Sequence, residues 1–336
     1  MFSTKLLIYP GTFLFSAFLA LYLTPVMRRA ALQFGIVDHP DGKLKNHEEP
    51  VPYMGGVSIY LAFLLALAFS FELNREVLGL LLSGTIVLLL GLIDDLGQLK
   101  PWVKLGGQVV AVLVLVKSGV TIKLSFLPTY VSIPLTFIWL VGMANAFNII
   151  DVIDGLAAGV AFIASLAFFF VALLNGRIMV AIVAVTLSGS LLGFLRYNFT
   201  PAQIYMGDAG SMFLGLMIGA LAMIGSYTDK NILGFFAPII ILGIPIFDTL
   251  LVMFLRGRKA IPFFLGSPDH YALRLRAMGL SVKHVTLLSC AAAVVLGVLG
   301  LIIMQLSSLY HAATMIVLLA VAGVVAIYLL QKVEMP

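Results

Sequence analysis

The sequence carries its acids in places that call for an explanation. "GLIDDLGQLK", residues 91–100, closes an apolar run with Asp94 and Asp95, and "NAFNIIDVIDGLAAG", 145–159, spaces Asn145, Asn148, Asp151 and Asp154 three residues apart. "MGDAGS" sets Asp208 and Ser211 around a glycine-containing turn before another apolar stretch, and Asp248 sits inside one. A charged side chain at a bilayer centre costs about 2.5–3.5 kcal/mol on insertion scales, so each of these groups needs a partner. Residues three apart on a helix share a face, which predicts one polar stripe from Asn145 to Gly155. The start of a helix after Asp208 offers N–H groups that favour an anion, with a plain N-cap role as the alternative. Hard oxygen donors without clustered His or Cys suit Mg2+, or Mn2+, rather than zinc or copper. Lys104, Arg256, Arg258, Lys259, His270, Arg274 and Arg276 lie in the neighbouring polar segments. Carboxylates, Mg2+ and Arg/Lys are together what phosphoryl transfer needs. The cations neutralise phosphates while an acid positions or deprotonates the attacking oxygen.

The elements that hold these residues are membrane-grade. The chain has 336 residues, is 62% hydrophobic and 10% charged, with a mean hydropathy of +1.12. Soluble domains are about 45–50% apolar. Windows long enough to span a bilayer fall at 4–27, 53–72, 77–93, 102–118, 131–149, 156–174, 178–195, 209–227, 232–255, 284–306 and 309–331. The expectation is an all-α, polytopic integral membrane protein of about eleven transmembrane helices, a single catalytic domain over 1–336 with its active site in cytoplasmic loops. An odd number of spans puts the termini on opposite faces. With the N-terminus outside and the C-terminus cytoplasmic, fourteen Lys/Arg fall inside and six outside, as the positive-inside rule requires. Of the fifteen acids only Glu72, Glu76 and Asp229 then face outward. Asp38, Asp41, Glu48, Glu49 and Glu334 read as solvated loop acids. The net charge of +5 is explained by positive-inside loops facing anionic lipid, without a nucleic-acid partner. Cys290 is the only cysteine, which excludes an intrachain disulfide and reads as a small core residue. Arg28 and Arg29 after the first span mark it as an anchor rather than a signal peptide.

Six blocks, in order, resemble the polyprenyl-phosphate N-acetylhexosamine-1-phosphate transferases of the glycosyltransferase family 4 type: "HEEPVPYMGG", "GLIDDLGQLKPWVKLGGQ", "NAFNIIDVIDGLAAG", "NFTPAQIYMGDAGSMFLG", "IPIFDTLLVMFLRG" and "DHYALRL". That family includes the enzymes that start common antigen, O-antigen and teichoic-acid linkage units, and the phospho-MurNAc-pentapeptide translocase. The resemblance implies transfer of HexNAc-1-phosphate from a UDP-HexNAc to polyprenyl (undecaprenyl) phosphate in the bacterial cytoplasmic (inner) membrane, with release of UMP. UDP-GlcNAc is the first choice of donor; another UDP-HexNAc or UDP-MurNAc-pentapeptide is the alternative, and a homodimer is compatible with it. Carried over, Asp94 and Asp95 handle the lipid phosphate, one as proton acceptor, with Lys104 on the next helix. Asp208 is the Mg2+ ligand with Asn198 nearby, and Asp151 and Asn148 support the metal or diphosphate. Asp154 and Tyr205 lie near the base, where the Tyr205 ring stacks on uracil. Beyond the carry-over, the one remaining histidine, His270, with Arg274 a helical turn away, is expected to contact the diphosphate, with Arg256 in the basic cluster before them. Two departures stand out. Where relatives carry several histidines only His270 remains, followed by Tyr271, Ala272 and Leu273, and Glu48 and Glu49 stand where many relatives have a lysine. A cation-coupled transporter would gather its ionisable groups near the midplane and show internal repeats; no repeat is visible. An intramembrane aspartyl protease would have glycine where Tyr205 stands.

Overall fold

In lipid, a long apolar segment can satisfy every backbone N–H and C=O internally only as a helix or a closed barrel. The computed structural model takes the helical solution. It describes residues 2–38, 50–69, 74–97, 99–124, 126–260 and 268–335, with the side chains of 2–6 outside the description. In chain order the helices are α1 (Phe2–Gln33), α2 (Gly55–Ala68), α3 (Arg75–Gly97), α4 (Pro101–Ser118), α5 (Thr129–Ile150), α6 (Leu156–Leu174) and α7 (Ile178–Asn198). They continue with α8 (Gly207–Ile224), a 3-10 turn (Ile232–Phe236), α9 (Ala237–Ile241), α10 (Gly243–Lys259), α11 (Tyr271–Ala277), α12 (Val282–Gln305) and α13 (Leu309–Leu330).

The protein is an all-α polytopic membrane protein. Among the described residues nine helices are long and apolar enough to cross a bilayer, and the segment Ile232–Lys259 makes a tenth if its two bent parts count as one span. The expected span at 53–72 is represented by the fourteen-residue α2, and residues 70–73 lie outside the described residues. The expected span at 232–255 is broken, with a bend of 76° between Ile232–Ile241 and α10. Pro245 explains the break: it has no N–H for the carbonyl of Ile241, and its ring crowds that carbonyl.

Lipid tails give helices no hydrophobic reason to associate, so close approach through small residues does the packing. α7 and α8 form the centre, whereas the most apolar stretch of α13 has none of its residues buried against protein. Gly91 is where α3 meets α8. A Cβ there would strike the backbone of Ala209, so only glycine lets the helices touch one turn before Asp94 and Asp95.

A two-residue antiparallel pair, β1 (Val37–Asp38) with β2 (Val51–Pro52), ties down the loop between α7 and α8. Tyr205 N–H donates to the Pro52 carbonyl at 2.8 Å, and Gly55 and Gly56 N–H donate to the carbonyls of Tyr205 and Met206 at 3.0 and 2.9 Å. Asp38, expected as a solvated loop acid, is buried and accepts from the Tyr53 hydroxyl at 2.6 Å. Asp41, Glu48 and Glu49 lie outside the described residues. Cys290 sits on α12 with its sulfur against Gly159 of α6.

Candidate active site

The site begins where α8 begins. Gly207 takes the left-handed region, φ +73°, and a Cβ there would run into the Asp95 carboxylate. Asp95 accepts the N–H groups of Asp208 at 2.8 Å and Ala209 at 3.1 Å. It therefore caps α8 from α3, satisfying two otherwise orphaned donors at the positive end of the helix dipole. Its structural consequence is a fixed Asp208.

Asp94 points the other way. Its carboxylate pairs with the Lys104 ammonium of α4 at 2.8 Å and accepts the Leu99 N–H at 2.5 Å. Lys104 also pairs with Asp208 and lies 3.5 Å from the Asn148 amide oxygen. Asn148 donates to Asp208 at 2.8 Å and to the Ser211 hydroxyl at 3.0 Å. Lys104 thus bridges the two acids from α3 and α8. Largely desolvated ion pairs contribute little net stability, because removing both partners from water offsets their attraction. Stability alone gives no reason for this arrangement at the end of a membrane bundle.

One turn deeper, Gln108 of α4 and Asn145 of α5 exchange amide hydrogen bonds, the shorter at 2.9 Å. Gln108 is almost fully buried, and the pair clamps the helices that carry Lys104 and Asn148. Asn145 and Asn148 do share a face of α5, as the spacing predicts. The stripe does not continue to Gly155, however, because α5 stops at Ile150 and Asp151 has left helical geometry at φ −80°, ψ 60°. Gly155, left-handed at φ +71°, starts α6 after a tight turn that separates the acids. Asp151 stays in the field of the cluster. Burial first, then the negative charges of Asp208, Asp95 and Asp154, push it up to about 8. Asp154 accepts the Ala202 N–H at 2.9 Å, while its carbonyl accepts from Thr286 at 3.0 Å.

Asn198 and Tyr205 flank this loop. Asn198 is buried and donates to the Ile204 carbonyl at 3.0 Å, which shapes the loop and puts no contact on the carboxylates. Tyr205 is half-buried, and burial raises its phenol well above the ordinary range.

A second group forms on α10 and α11. Asp248 is fully buried, with one carboxylate oxygen 2.8 Å from His270 Nδ1 and the other accepting the Tyr271 N–H at 2.8 Å. Arg256 is buried on the same helix, within electrostatic reach of Asp269 and Asp248. Arg274, expected at the diphosphate, has its guanidinium engaged by protein groups. It is buried, donating to Asp269 at 2.8 Å and to the carbonyls of Leu330 and Val333 at 2.9 Å each. It ties α11 to the end of α13. Asp269 also receives Lys259 at 2.8 Å. The sequence singles out neither Asp269 nor Gln108, since nothing in their local spacing marks a partner far along the chain. α10 packs on α5, which places the second group beside the helix that ends at Asp151.

The donor set fits a hard divalent cation. Among the described residues no three His, Cys, Asp or Glu side chains converge as a metal cage. Mg2+ needs no such cage, taking one or two carboxylates and filling its octahedron with water and substrate phosphate. Asp208 and Asp94, oxygen donors already facing a shared cation in Lys104, meet that requirement.

Asp151 gives a prediction for the ligand-free protein. A carboxyl whose folded pKa is raised makes stability fall as pH climbs from the ordinary carboxylate range to about 8, after which the loss is constant. Asp151→Asn removes that loss. Its thermal midpoint, followed by fluorescence in chelator, should exceed wild type by about 2–4 °C at about pH 8.5 and by less at about pH 5. An advantage that shrinks as pH rises would contradict the assignment.

Fold and site together define a multi-pass membrane protein with a carboxylate and cation centre at one end of its bundle. Residues 77–226 match the model of glycosyl transferase family 4. The chain is 35% identical over 278 residues to a Bacillus subtilis protein named probable undecaprenyl-phosphate N-acetylglucosaminyl 1-phosphate transferase, covering 80% of this chain and 77% of that one. It is 33% identical over 310 residues to the decaprenyl-phosphate N-acetylglucosaminephosphotransferase of Mycolicibacterium smegmatis, covering 80% and 75%. It is 35% identical over 295 residues to the phospho-N-acetylmuramoyl-pentapeptide-transferase of Halalkalibacterium halodurans, covering 79% and 87%. The chain belongs to glycosyl transferase family 4.

Proposed function

We propose that this protein transfers HexNAc-1-phosphate, GlcNAc-1-phosphate first among the candidates, from a UDP-sugar to a polyprenyl phosphate and releases UMP. The observation that carries this reading is Lys104 held between Asp94 and Asp208 at the start of α8, a cation among acids where two phosphates would meet. The names of the relatives support the class of reaction, and both GlcNAc-phosphate and MurNAc-pentapeptide transferases among them leave the donor to be measured.

The chain's own groups divide the work. Asp208, with Asn148 beside it and Asp94 across Lys104, would hold Mg2+, which when bound supplies charge neutralisation to the diphosphate. Asp95 keeps Asp208 in place through the N–H groups of α8. Lys104 offers its ammonium to the incoming phosphates, and Asp94, the acid not spent on capping, orients the lipid phosphate or takes its proton. Direct attack by the lipid phosphate is favoured over an aspartyl-phosphate, because the acceptor is already an oxyanion and Lys104, between the two acids, can help hold both phosphates in line. Exchange of labelled UMP into UDP-sugar in the absence of lipid would contradict it. Tyr205 and Asp154 remain the residues proposed for the uridine. The basic asymmetry of the sequence orients this end toward the cytoplasm of a bacterial inner membrane.

The test uses sealed membrane vesicles of both orientations, supplied with polyprenyl phosphate and a panel of UDP-sugars. Inverted vesicles should form a lipid-linked product from UDP-GlcNAc, and right-side-out vesicles should not. Product from UDP-MurNAc-pentapeptide alone would move the protein to the other branch of the family. Product from right-side-out vesicles only would reverse the orientation.

A further inference from the structure

Asp248 is a carboxylate that a membrane-spanning helix would be expected to avoid. It is fully buried on α10, and a buried acid is costly unless its oxygens are satisfied. Both oxygens are. One accepts from His270 Nδ1 and the other from the Tyr271 N–H, each at 2.8 Å, so the acid grips the ring and the backbone beside it. His270 is the residue just before α11, with an extended backbone and a buried side chain that makes no cap hydrogen bond to the helix. The segment is held from its remaining sides as well. The Tyr271 hydroxyl meets Ser289 of α12 at 2.8 Å, and Asp269 is fixed by Lys259 and Arg274.

An ionised carboxylate only accepts hydrogen bonds, so the proton on this edge of the imidazole is on Nδ1. Nε2, on the far edge, is then left free to meet a phosphate oxygen or its proton. We infer that Asp248 is the positioning residue of His270, fixing the ring's orientation and its Nδ1-protonated tautomer so that Nε2 is the atom presented to the reacting diphosphate. The inference rests on the proposed transferase reading and, within it, on the expectation from the sequence that His270 meets the diphosphate. A cluster of histidines could share that task among several rings. With a single histidine in this loop, the orientation of one ring decides it.

Asp248→Asn separates this role from a structural one. The amide keeps the size and one acceptor but can present its NH2 to the ring, which favours the other tautomer, as in the Asp-to-Asn change of a Ser-His-Asp triad. In the purified full-length protein, Asp248→Asn should lower kcat by about tenfold to a hundredfold, up to the lower end of an acid-base contribution because the ring itself remains, and leave KM for UDP-sugar within about twofold. Added to His270→Ala, it should lower activity no further, because residues acting as a unit are non-additive. An equal loss in both backgrounds, or no loss in the wild-type background, would overturn the inference. Wild-type activity in His270→Ala alone would remove the reading beneath it, and that outcome shows in the single variant before Asp248 is touched. If Asp248→Asn does not fold, the wild-type protein still answers. Among its five histidines, the 15N resonances lost in His270→Gln should be those of a ring protonated at Nδ1. A ring protonated only at Nε2 would overturn the inference.

Discussion

Asp208→Asn is expected to lower UMP release by about a thousandfold or more while the protein still inserts, folds and purifies as wild type does. Asparagine has the same shape and can still accept from Asn148, so the interior need not move. The charge is what is lost. Asp208 pairs with Lys104, receives Asn148, and stands on the α8 N-terminus that Asp95 caps, so four helices, α3, α4, α5 and α8, meet at the proposed phosphate site. Removing one preorganised electrostatic contact costs about 10²–10³ in rate. A group that faces the shared cation and, on the proposed reading, also donates to a divalent ion belongs at or above the upper end. Excess chelator should reproduce the loss in wild type and have little left to remove in the variant. Turnover within about tenfold of wild type, in the variant or in chelator, would contradict the role given to Asp208.

His270→Ala carries the second large effect, a loss of about 10²–10³ in kcat, on the same reasoning for a positioned transition-state contact. The side chain is buried, so some of any change could come through the fold. Thermal midpoint and detergent monodispersity measured beside the rate keep the two apart. Arg274 supplies the contrast. Its guanidinium is occupied by Asp269 and by the carbonyls at the end of α13, so Arg274→Ala should first appear as lost stability, with the rate following as the α11 segment loosens. A loss below about threefold in His270→Ala would make His270 a structural loop residue.

Much of this was legible in the sequence because it is local. The acids at the ends of apolar runs, the helical class and the approximate spans all follow from composition and length. The tertiary devices were not legible. Asp94 and Asp95 read as an equivalent pair, yet the close approach at Gly91 turns Asp95 into a cap for a helix more than a hundred residues away. The spacing of Asn145 to Asp154 is a true helical period for its first half only. Asp151 leaves the helix, and the left-handed Gly155 then opens α6. Arg274 is expected at the diphosphate only through its place one turn from His270, and the structure gives its guanidinium to Asp269 and the end of α13. Its partners, two backbone carbonyls on the last helix, leave no mark in side-chain spacing. The bend before α10 had a local signal in Gly243 and Pro245, masked by uninterrupted apolarity on either side.

The central claim is that the bond broken lies between the two phosphates of the donor, which makes the acid and lysine cluster a phosphoryl-transfer site rather than a sugar-transfer one. The most direct measurement follows the donor's β-phosphorus. Purified protein with polyprenyl phosphate, Mg2+ and UDP-GlcNAc labelled at that atom should send the label into the organic phase with the lipid, in equal amount to the unlabelled UMP left in water. Label remaining in water as UDP, with the sugar alone on the lipid, would contradict the account.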